Sequence, residues 1–317
     1  MATVKFLTPS ASYRAGILAY CRDYLNDYYQ LTKPKVVALL VLTAWVGMML
    51  ASPGMPDLIL VLISCIGIAM VSGAAAAFNH VLDQKIDAQM ARTAMRPLPK
   101  GRLSTTSATV FACGLALAGF LILLFAVNTL TAVLTLLGLF GYAVIYTLLL
   151  KRATPQNIVI GGIAGALPPV LGWSSITGQV NGESLLLMMI VFTWTPPHFW
   201  ALAIHRVNDY ARAGIPMLPV THGIEFTKTL ILLYTLLLAV VCLLPYLVGM
   251  SGIIYLIGAV ILSGKFIAHA WQLKFHSDAS SAMKTFWFSI VHLMALFIVL
   301  LVDHYVYWNW QMLSQGS

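Results

Sequence analysis

Apolar residues dominate this chain in nine long runs separated by shorter polar segments. The runs cover roughly 36–51, 58–78, 108–127, 130–150, 157–173, 185–204, 230–248, 253–273 and 286–307. Each is long enough, allowing for some tilt, to cross a bilayer as an α-helix, which needs about 20 residues. The pattern therefore predicts an all-α, polytopic membrane protein with nine transmembrane helices in one bundle.

Composition excludes an ordinary soluble domain. Hydrophobic residues make up 60% of the 317 positions and charged residues only 9%, whereas soluble domains carry about 25% charged residues. The four cysteines are scattered without metal-ligand spacing and are expected to be structural: Cys21, Cys65, Cys113 and Cys242.

The basic residues fall on one side of the predicted bundle. The connections after the first, third, fifth and seventh runs contain Asp57 and Glu183 but no Lys or Arg, so all 18 basic residues lie on the other side. The positive-inside rule makes that side cytoplasmic. We therefore expect a multi-pass protein of the cell inner membrane, with its N-terminus inside and its C-terminus outside. This bias explains the net charge of +8 without any nucleic acid, and it favours anionic lipid head groups and anionic substrates.

The polar termini divide the chain into three segments. Residues 1–35 are expected to form a cytoplasmic interfacial segment, and Pro34 is expected to open the first span. This segment is too long and too mixed for a signal peptide, so no cleaved targeting segment is expected. Residues 36–310 would form a single transmembrane domain, with Trp308 and Trp310 at the outer interface, and 311–317 a short external tail.

A face of three polar residues stands where the second run ends. Asn79, Asp83 and Asp87 are spaced by four, so a helix brings them onto one face. Like charges at this spacing repel by a few tenths of a kcal/mol and cost more away from water, so the face favours a bound cation. Hard oxygen ligands select Mg²⁺ or Ca²⁺, and Mg²⁺ is usually shared between one or two carboxylates and substrate phosphates.

Basic residues on the same membrane side could hold the phosphate oxygens that a metal does not reach: Arg92, Arg96, Lys151 and Arg152. Metal, carboxylates and cations together indicate a diphosphate. At the mouth of an apolar bundle it would carry a lipid tail, which makes prenyl transfer the implied reaction. In the alternative interpretation, the carboxylates only cap a helix and pair with Lys85 or Arg92.

The fifth and sixth runs carry further candidate chemistry. Gly161, Gly162 and Gly165 favour either close helix packing or room for a bulky flat ligand. In the sixth run, His198 follows two prolines, and on an unbroken helix it would share a face with His205 and Asp209. Runs two and six are each followed by an acidic turn, an Arg and a proline stop, which suggests a four-span repeat.

The motifs as a set resemble the heme O synthase family, a branch of the UbiA-type intramembrane prenyltransferases. The resemblance covers nearly all of 30–310. It rests on Asn79-x-x-x-Asp83-x-x-x-Asp87, Arg96-Pro97-Leu98-Pro99, Tyr146-Thr147 with Lys151-Arg152, Gly161-Gly162, Pro197-His198-Phe199-Trp200 and the stretch 209–219.

This resemblance implies an activity and its partners. That family transfers the farnesyl group of farnesyl diphosphate to a vinyl group of heme B, with addition of water, and releases heme O and diphosphate. Heme O serves a terminal oxidase or a heme A synthase, which would be protein partners beside the membrane lipid. The alternatives are a prenyltransferase acting on an aromatic quinone precursor, and a non-enzymatic heme or lipid carrier, which the broken fifth and sixth spans favour.

Residue roles are carried over by position. The resemblance implies that Asn79, Asp83 and Asp87 hold Mg²⁺ and that Asp83, Asp87, Lys151 and Arg152 are catalytic. Substrate binding is assigned to Asn79, Arg92, Arg96, Tyr146, Asn157, His198, His205 and Asp209. Quinone-pathway relatives have an aspartate-rich second motif, whereas here only Asp209 is acidic in 205–209. A second Mg²⁺ therefore stays open, and His198 or His205 could instead contact the heme through its iron or a propionate.

Overall fold

A computed structural model describes residues 22–90, 93–276, 278 and 280–315, without the side chains of 152 and 307–315. These residues are mostly helical and contain no strand, so the all-α prediction is confirmed. The helices are α1 Arg22–Leu31, α2 Pro34–Leu50, α3 Leu58–Asp87, α4 Thr105–Ala126, α5 Thr129–Phe140, a π-helix Gly141–Leu150, α6 Lys151–Ala153, α7 Asn157–Ala166, α8 Pro168–Thr177, α9 Gly182–His205, α10 Val207–Arg212, α11 Leu218–Thr221, α12 Ile224–Leu247, α13 Ile253–Phe275 and α14 Ser281–Gln315.

The helices agree with the predicted membrane spans. Eight stretches of the described residues are long and apolar enough to cross a membrane, and a ninth results if α1 and α2 form one bent span. On its own, α2 has 17 residues. The chain is thus an integral, multi-pass membrane protein, while its orientation remains a prediction. Residues 1–21 lie outside the described residues, and so do the side chains of Trp308 and Trp310.

The chain turns sharply at Lys33, between α1 and α2. The two helix axes differ by 52°, and Lys33 has left-handed backbone angles (φ 50°, ψ 59°). Pro34 then opens α2, as predicted, because its fixed φ suits the first helical position and its missing N–H needs no partner there. An ion pair of 3.1 Å between Asp27 and Arg102 ties α1 to the loop after α3.

Two glycines allow α2 and α8 to pack backbone against backbone. A Cβ added at Gly47 would lie 2.2 Å from the Pro169 carbonyl oxygen, and one added at Gly172 would lie 1.8 Å from the Ala44 carbonyl oxygen. Only glycine permits this approach. The contact holds α8, the second half of the broken fifth span, against α2 in the first span.

The prediction that His198, His205 and Asp209 share one face of an unbroken helix holds for the two histidines, which both lie in α9, but is wrong for Asp209. Helix α9 runs through Pro196 and Pro197 but ends at His205. Arg206 leaves the helical conformation (φ −114°, ψ 25°), and Asp209 lies on the separate short helix α10. The helical register of His198 therefore does not extend to Asp209.

Candidate active site

The π-helix brings polar side chains to the C-terminal end of α3. Its wider turn is visible at Thr147, whose hydroxyl donates to the carbonyl of Tyr142, five residues earlier, at 2.8 Å. The Thr147 hydroxyl also accepts a hydrogen bond of 3.2 Å from the Asn79 carboxamide. π-Helical turns recur at functional sites, and here the turn joins the fourth span to the predicted acidic face.

Asp83 is the centre of this polar cluster. Its side chain is 2% exposed, and its Oδ2 accepts from Asn79 Nδ2 at 2.7 Å and from Lys151 Nζ at 2.5 Å. Its Oδ1 is buried and has no hydrogen-bond partner among the described residues. Buried carboxylate oxygens are normally paired, so Oδ1 is an open ligand position.

Asp87 takes its partner from the loop that follows α3. Arg96 Nη1 donates to Asp87 Oδ2 at 2.6 Å, and the Thr93 hydroxyl donates to the Asp87 carbonyl at 2.9 Å, which folds the loop back onto the helix. Lys85 is exposed. The carboxylates therefore pair with Arg96 and Lys151 and not with Lys85, as the alternative interpretation had it. Arg92 lies outside the described residues.

Sequence reasoning missed Lys33 as a member of the cluster. Its Nζ donates to Asn79 Oδ1 and lies 3.4 Å from the Tyr142 hydroxyl. A left-handed backbone at a residue other than glycine costs about 1–3 kcal/mol and is typical of functional sites. The available signal was a lysine directly before the proline that opens the first span. Lys33, Arg96 and Lys151 outnumber the two carboxylates by one charge, which favours an anion.

Tyr146 and Asn157 support the cluster from the fourth and fifth spans. The Tyr146 ring stacks on that of Tyr142 at 5.6 Å, and a Cβ added at Gly161 would lie 2.2 Å from its Cδ2. Asn157 is buried and donates to the Lys151 carbonyl at 3.3 Å, which fixes the turn at α6. The side chain of Arg152 lies outside the described set, so its predicted role stays a prediction.

A cavity of about 430 Å³ opens beside this cluster, within the range of small-molecule sites. The polar end, as we call it, consists of Lys33, Asn79, Asp83, Asp87, Arg96, Tyr142 and Lys151, of which Lys33 and Tyr142 line the cavity. Both interpretations of the glycines are supported: Gly161 and Gly162 pack against Tyr146 and Thr195, whereas a Cβ at Gly165 would meet nothing within 4 Å.

The same cavity has an aromatic end, which consists of Trp194, His198 and Phe286 in its lining and of Ser289 behind His198. The His198 ring stacks on Trp194 at 4.2 Å and on Phe286 at 4.6 Å. Its Nδ1 lies 2.7 Å from the Ser289 hydroxyl, and Trp194 Nε1 donates to the Ser289 carbonyl at 2.7 Å. His198 is thus both packed and cavity-facing. Nothing in the apolar last span had singled out Ser289.

His205 and Asp209 are not part of this cavity lining. His205 is exposed. Asp209 pairs with Arg212 at 2.5 Å and with Arg206 at 3.7 Å, and within the described residues no hydrogen bond or ion pair joins it to Asp83 or Asp87. A second metal site built on Asp209 therefore receives no support from this arrangement, and its substrate-binding role stays a prediction.

The polar end fits a metal that is shared with a phosphate ligand. In the described part of the chain, no three His, Cys, Asp or Glu side chains come together around one point. Two carboxylates and the Asn79 carboxamide nevertheless supply hard oxygens, and Mg²⁺ needs only one or two carboxylates when substrate phosphates complete its shell. The open Asp83 Oδ1 agrees with such a shared ion.

Comparison with known sequences places most of the chain in one family. The profile of the UbiA prenyltransferase family matches residues 40–304. The protoheme IX farnesyltransferase of Shewanella halifaxensis is 61% identical over 280 residues, which is 88% of this chain and 93% of that protein. Protoheme IX farnesyltransferase 2 of Pseudoalteromonas atlantica is 63% identical over 281 residues, 89% of this chain and 92% of that protein.

Solved structures share the fold at low sequence identity. Digeranylgeranylglyceryl phosphate synthase superposes with a TM-score of 0.75 at 19% identity, covering 89% of this chain and 99% of that one. A UbiA homologue from Archaeoglobus fulgidus bound to GPP and Mg²⁺ gives 0.58 at 17% identity, covering 86% and 99%. These likenesses establish a common helical architecture.

Proposed function

The chain belongs to the UbiA prenyltransferase family, and on that basis we propose that it transfers the farnesyl group of farnesyl diphosphate to a vinyl group of heme B. Water adds in the same reaction, and the products are heme O and diphosphate. Relatives about 62% identical over nearly nine-tenths of the chain are protoheme IX farnesyltransferases. The observation that carries the proposal is one cavity bordered by a cationic, carboxylate-bearing end and an aromatic end.

We assign the diphosphate to the polar end. Asn79, Asp83 and Asp87 would hold Mg²⁺, which when bound neutralises the diphosphate and makes it a better leaving group. The Mg²⁺ and GPP bound to the Archaeoglobus homologue support this assignment. The hard-oxygen donor set and the open Asp83 Oδ1 are the supporting features of this chain.

The basic side chains would stabilise the departing diphosphate. Arg96 and Lys151 pair with Asp87 and Asp83, and Lys33 donates to the Asn79 carboxamide. All three cations would attract the phosphate oxygens of a bound diphosphate. Fixed charges in a site of low dielectric constant stabilise developing charge strongly. The bond between C1 of the farnesyl chain and oxygen breaks, and its electron pair leaves with the diphosphate. We place Arg92 and Arg152 in the same role on the resemblance alone.

The apolar walls would protect the allylic cation that remains. Leu39, Leu40, Val71, Leu139 and Leu171 line the cavity and keep bulk water away from it. The terminal vinyl carbon of heme B attacks C1 and forms the new carbon–carbon bond. The cation left on the inner vinyl carbon takes up one water molecule and releases a proton.

We further propose the cellular setting. The chain would lie in the cell inner membrane with its N-terminus in the cytoplasm and its C-terminus outside, as the positive-inside bias predicts. Residues 1–35, 36–310 and 311–317 would be the interfacial segment, the transmembrane domain and the external tail. Its product would pass to a heme A synthase or a terminal oxidase.

The test is to identify the product. Membranes containing the chain are incubated with farnesyl diphosphate and Mg²⁺, with either heme B or a hydroxybenzoate, and the products are analysed by mass spectrometry. We expect heme O and one diphosphate released per heme O. A prenylated hydroxybenzoate would instead support a quinone-pathway enzyme. Heme binding without diphosphate release would support a carrier.

A further inference from the structure

The Ser289 hydroxyl has only one proton to donate, and the distances between heavy atoms indicate its acceptor. Ser289 Oγ lies 2.6 Å from the carbonyl of Phe286, one turn earlier in α14, and donates to it. A carbonyl can only accept. The same Oγ lies 2.7 Å from His198 Nδ1. Because the hydroxyl proton is already used, the serine must accept in this second contact.

The hydrogen-bond direction fixes the tautomer of His198. Nδ1 carries the proton that it donates to Ser289, so the Nε2 of the uncharged ring keeps a free lone pair. His198 is buried and makes no ion pair among the described residues. Nε2 has no hydrogen-bond partner within that set.

Three aromatic rings contact His198, among them Phe199 edge-on at 5.1 Å, and its side chain still lines the cavity. Trp194 and Phe286 stack on the ring with interplanar angles of 19° and 25°. A histidine held in this way presents a lone pair in a fixed direction. Histidines that bind a metal through one ring nitrogen usually donate the N–H of the other nitrogen to a neighbouring acceptor.

We propose that His198 Nε2 is the axial ligand of the heme B iron and that Ser289 is the residue that positions it. This inference rests on the proposed function, because it takes heme B as the occupant of the cavity. Neutral imidazole is a common axial ligand of heme iron. His198 lies seven residues before the inner end of α9, about 10 Å deeper. Iron at that depth leaves the porphyrin edge, with its vinyl groups, free to extend toward the polar end.

Other histidines fit this role less well. His292 is buried with both ring nitrogens unpaired among the described residues, but it packs against Phe266 and does not line the cavity. His269 stacks on Phe288 outside the same cavity. His198 is the histidine in the cavity lining.

The test measures heme coordination without turnover. The full chain is purified in lipid nanodiscs and titrated with heme B in the absence of farnesyl diphosphate. Resonance Raman spectra of the ferrous form report the iron–imidazole stretching band. We expect this band in the wild type, its loss in His198→Gln, and its return when imidazole is added to His198→Gly. His276→Gln, which changes an exposed histidine, is the matched control and should keep the band.

The serine variants test the positioning role. Ser289→Ala removes the acceptor of the Nδ1 proton and should weaken heme binding about 10–100-fold, the usual effect of losing such a partner. Ser289→Thr retains a hydroxyl and should restore most of the affinity and the band position. Unchanged affinity and band position in Ser289→Ala would overturn the role of Ser289.

The remaining outcomes separate this inference from the proposed function. A wild type that binds heme without the iron–imidazole band, or a His198→Gln variant that keeps the band, would overturn the axial assignment and leave the farnesyl transfer intact. A wild type that binds no heme at all would contradict the proposed function itself. Retained binding of farnesyl diphosphate shows that each variant is folded.

Discussion

The polar end and the aromatic end of the cavity are built in opposite ways. The polar end draws on side chains from five separate segments, just before α2, in α3, in the loop after α3, in the π-helix and in α6, and most of its contacts involve charged groups. The aromatic end comes from α9 and α14 alone, and its ring stacks and hydrogen bonds are between uncharged groups. One end carries excess positive charge, and the other presents flat rings.

This difference explains how one cavity can select two unlike substrates. Charge and hard oxygens recognise a metal-bound diphosphate, whereas stacked rings and a ring nitrogen recognise a flat tetrapyrrole. Variants at either end should therefore affect one substrate and spare the other. Changes confined to one end therefore test whether the two substrates bind separately.

Removing divalent cations should abolish farnesyl transfer and leave heme binding unchanged. Without Mg²⁺ the diphosphate keeps its full charge beside Asp83 and Asp87, so neither its binding nor its departure is stabilised. Heme O formation is measured by chromatography before and after treatment with EDTA, and the heme absorption spectrum is recorded in parallel. Added Mg²⁺ should restore activity. Full turnover in the presence of EDTA would show that the polar end works without a metal.

Lys151→Met should lower turnover by about 100-fold, the scale of losing one stabilising donor for developing charge. The substitution removes the partner of Asp83 at 2.5 Å and one cation for the phosphate oxygens. Lys100→Met, at an exposed lysine on the same membrane side, is the matched control and should have little effect. Heme affinity should stay at the wild-type value in both. A loss of heme affinity in Lys151→Met would contradict the separation of the two ends.

Gly161→Ala should reduce turnover by about tenfold, or roughly 1.4 kcal/mol. The added Cβ would lie 2.2 Å from the Tyr146 ring, so the tyrosine pair above the polar end must shift. Gly114→Ala adds the same methyl group where nothing lies within 4 Å and should leave activity unchanged. Turnover and the Michaelis constant for farnesyl diphosphate are measured in both variants. Equal constants for the two variants would remove Tyr146 from the binding of this substrate.

Asp209→Asn should have the smallest effect, less than about tenfold. Asp209 is partly exposed and already paired with Arg206 and Arg212, and pairs of this kind contribute about 1 kcal/mol or less. Heme O formation is measured at saturating and at low farnesyl diphosphate. A loss of about 100-fold or more would place Asp209 in a second metal site and extend the polar end to α10.

Local spacing was enough to predict the acidic face and the helical fold. Asn79, Asp83 and Asp87 share a face because helix geometry alone dictates it, and the apolar runs agree with the spans. The partners of that face could not be predicted in the same way. Lys33 reaches Asn79 across 46 positions of the chain from a left-handed backbone, and Ser289 meets His198 across 91 positions. Both contacts depend on how distant helices pack.

The shared face of His198 and Asp209 failed for a different reason. The prolines, which are the usual cause of a break, lie inside a continuous α9. The helix ends at His205, and neither this residue nor Arg206 is a strong stop signal. Asp83 and Asp87 pair with Lys151 and Arg96 and not with the nearby Lys85, which likewise follows from tertiary packing. Periodicity is reliable within a helix, but it does not show where an interrupted helix ends.

Asp83→Asn tests whether diphosphate and heme bind at separate ends of the cavity, when both substrates are followed in one preparation. The isosteric amide removes the charge at the centre of the polar end and leaves the aromatic end untouched. We predict heme binding within about twofold of the wild type and heme O formation lowered by at least about 100-fold, on the scale of losing one key electrostatic group. Heme O formation at the wild-type rate, or loss of heme binding instead, would contradict the assignment of diphosphate and heme to separate ends of one cavity.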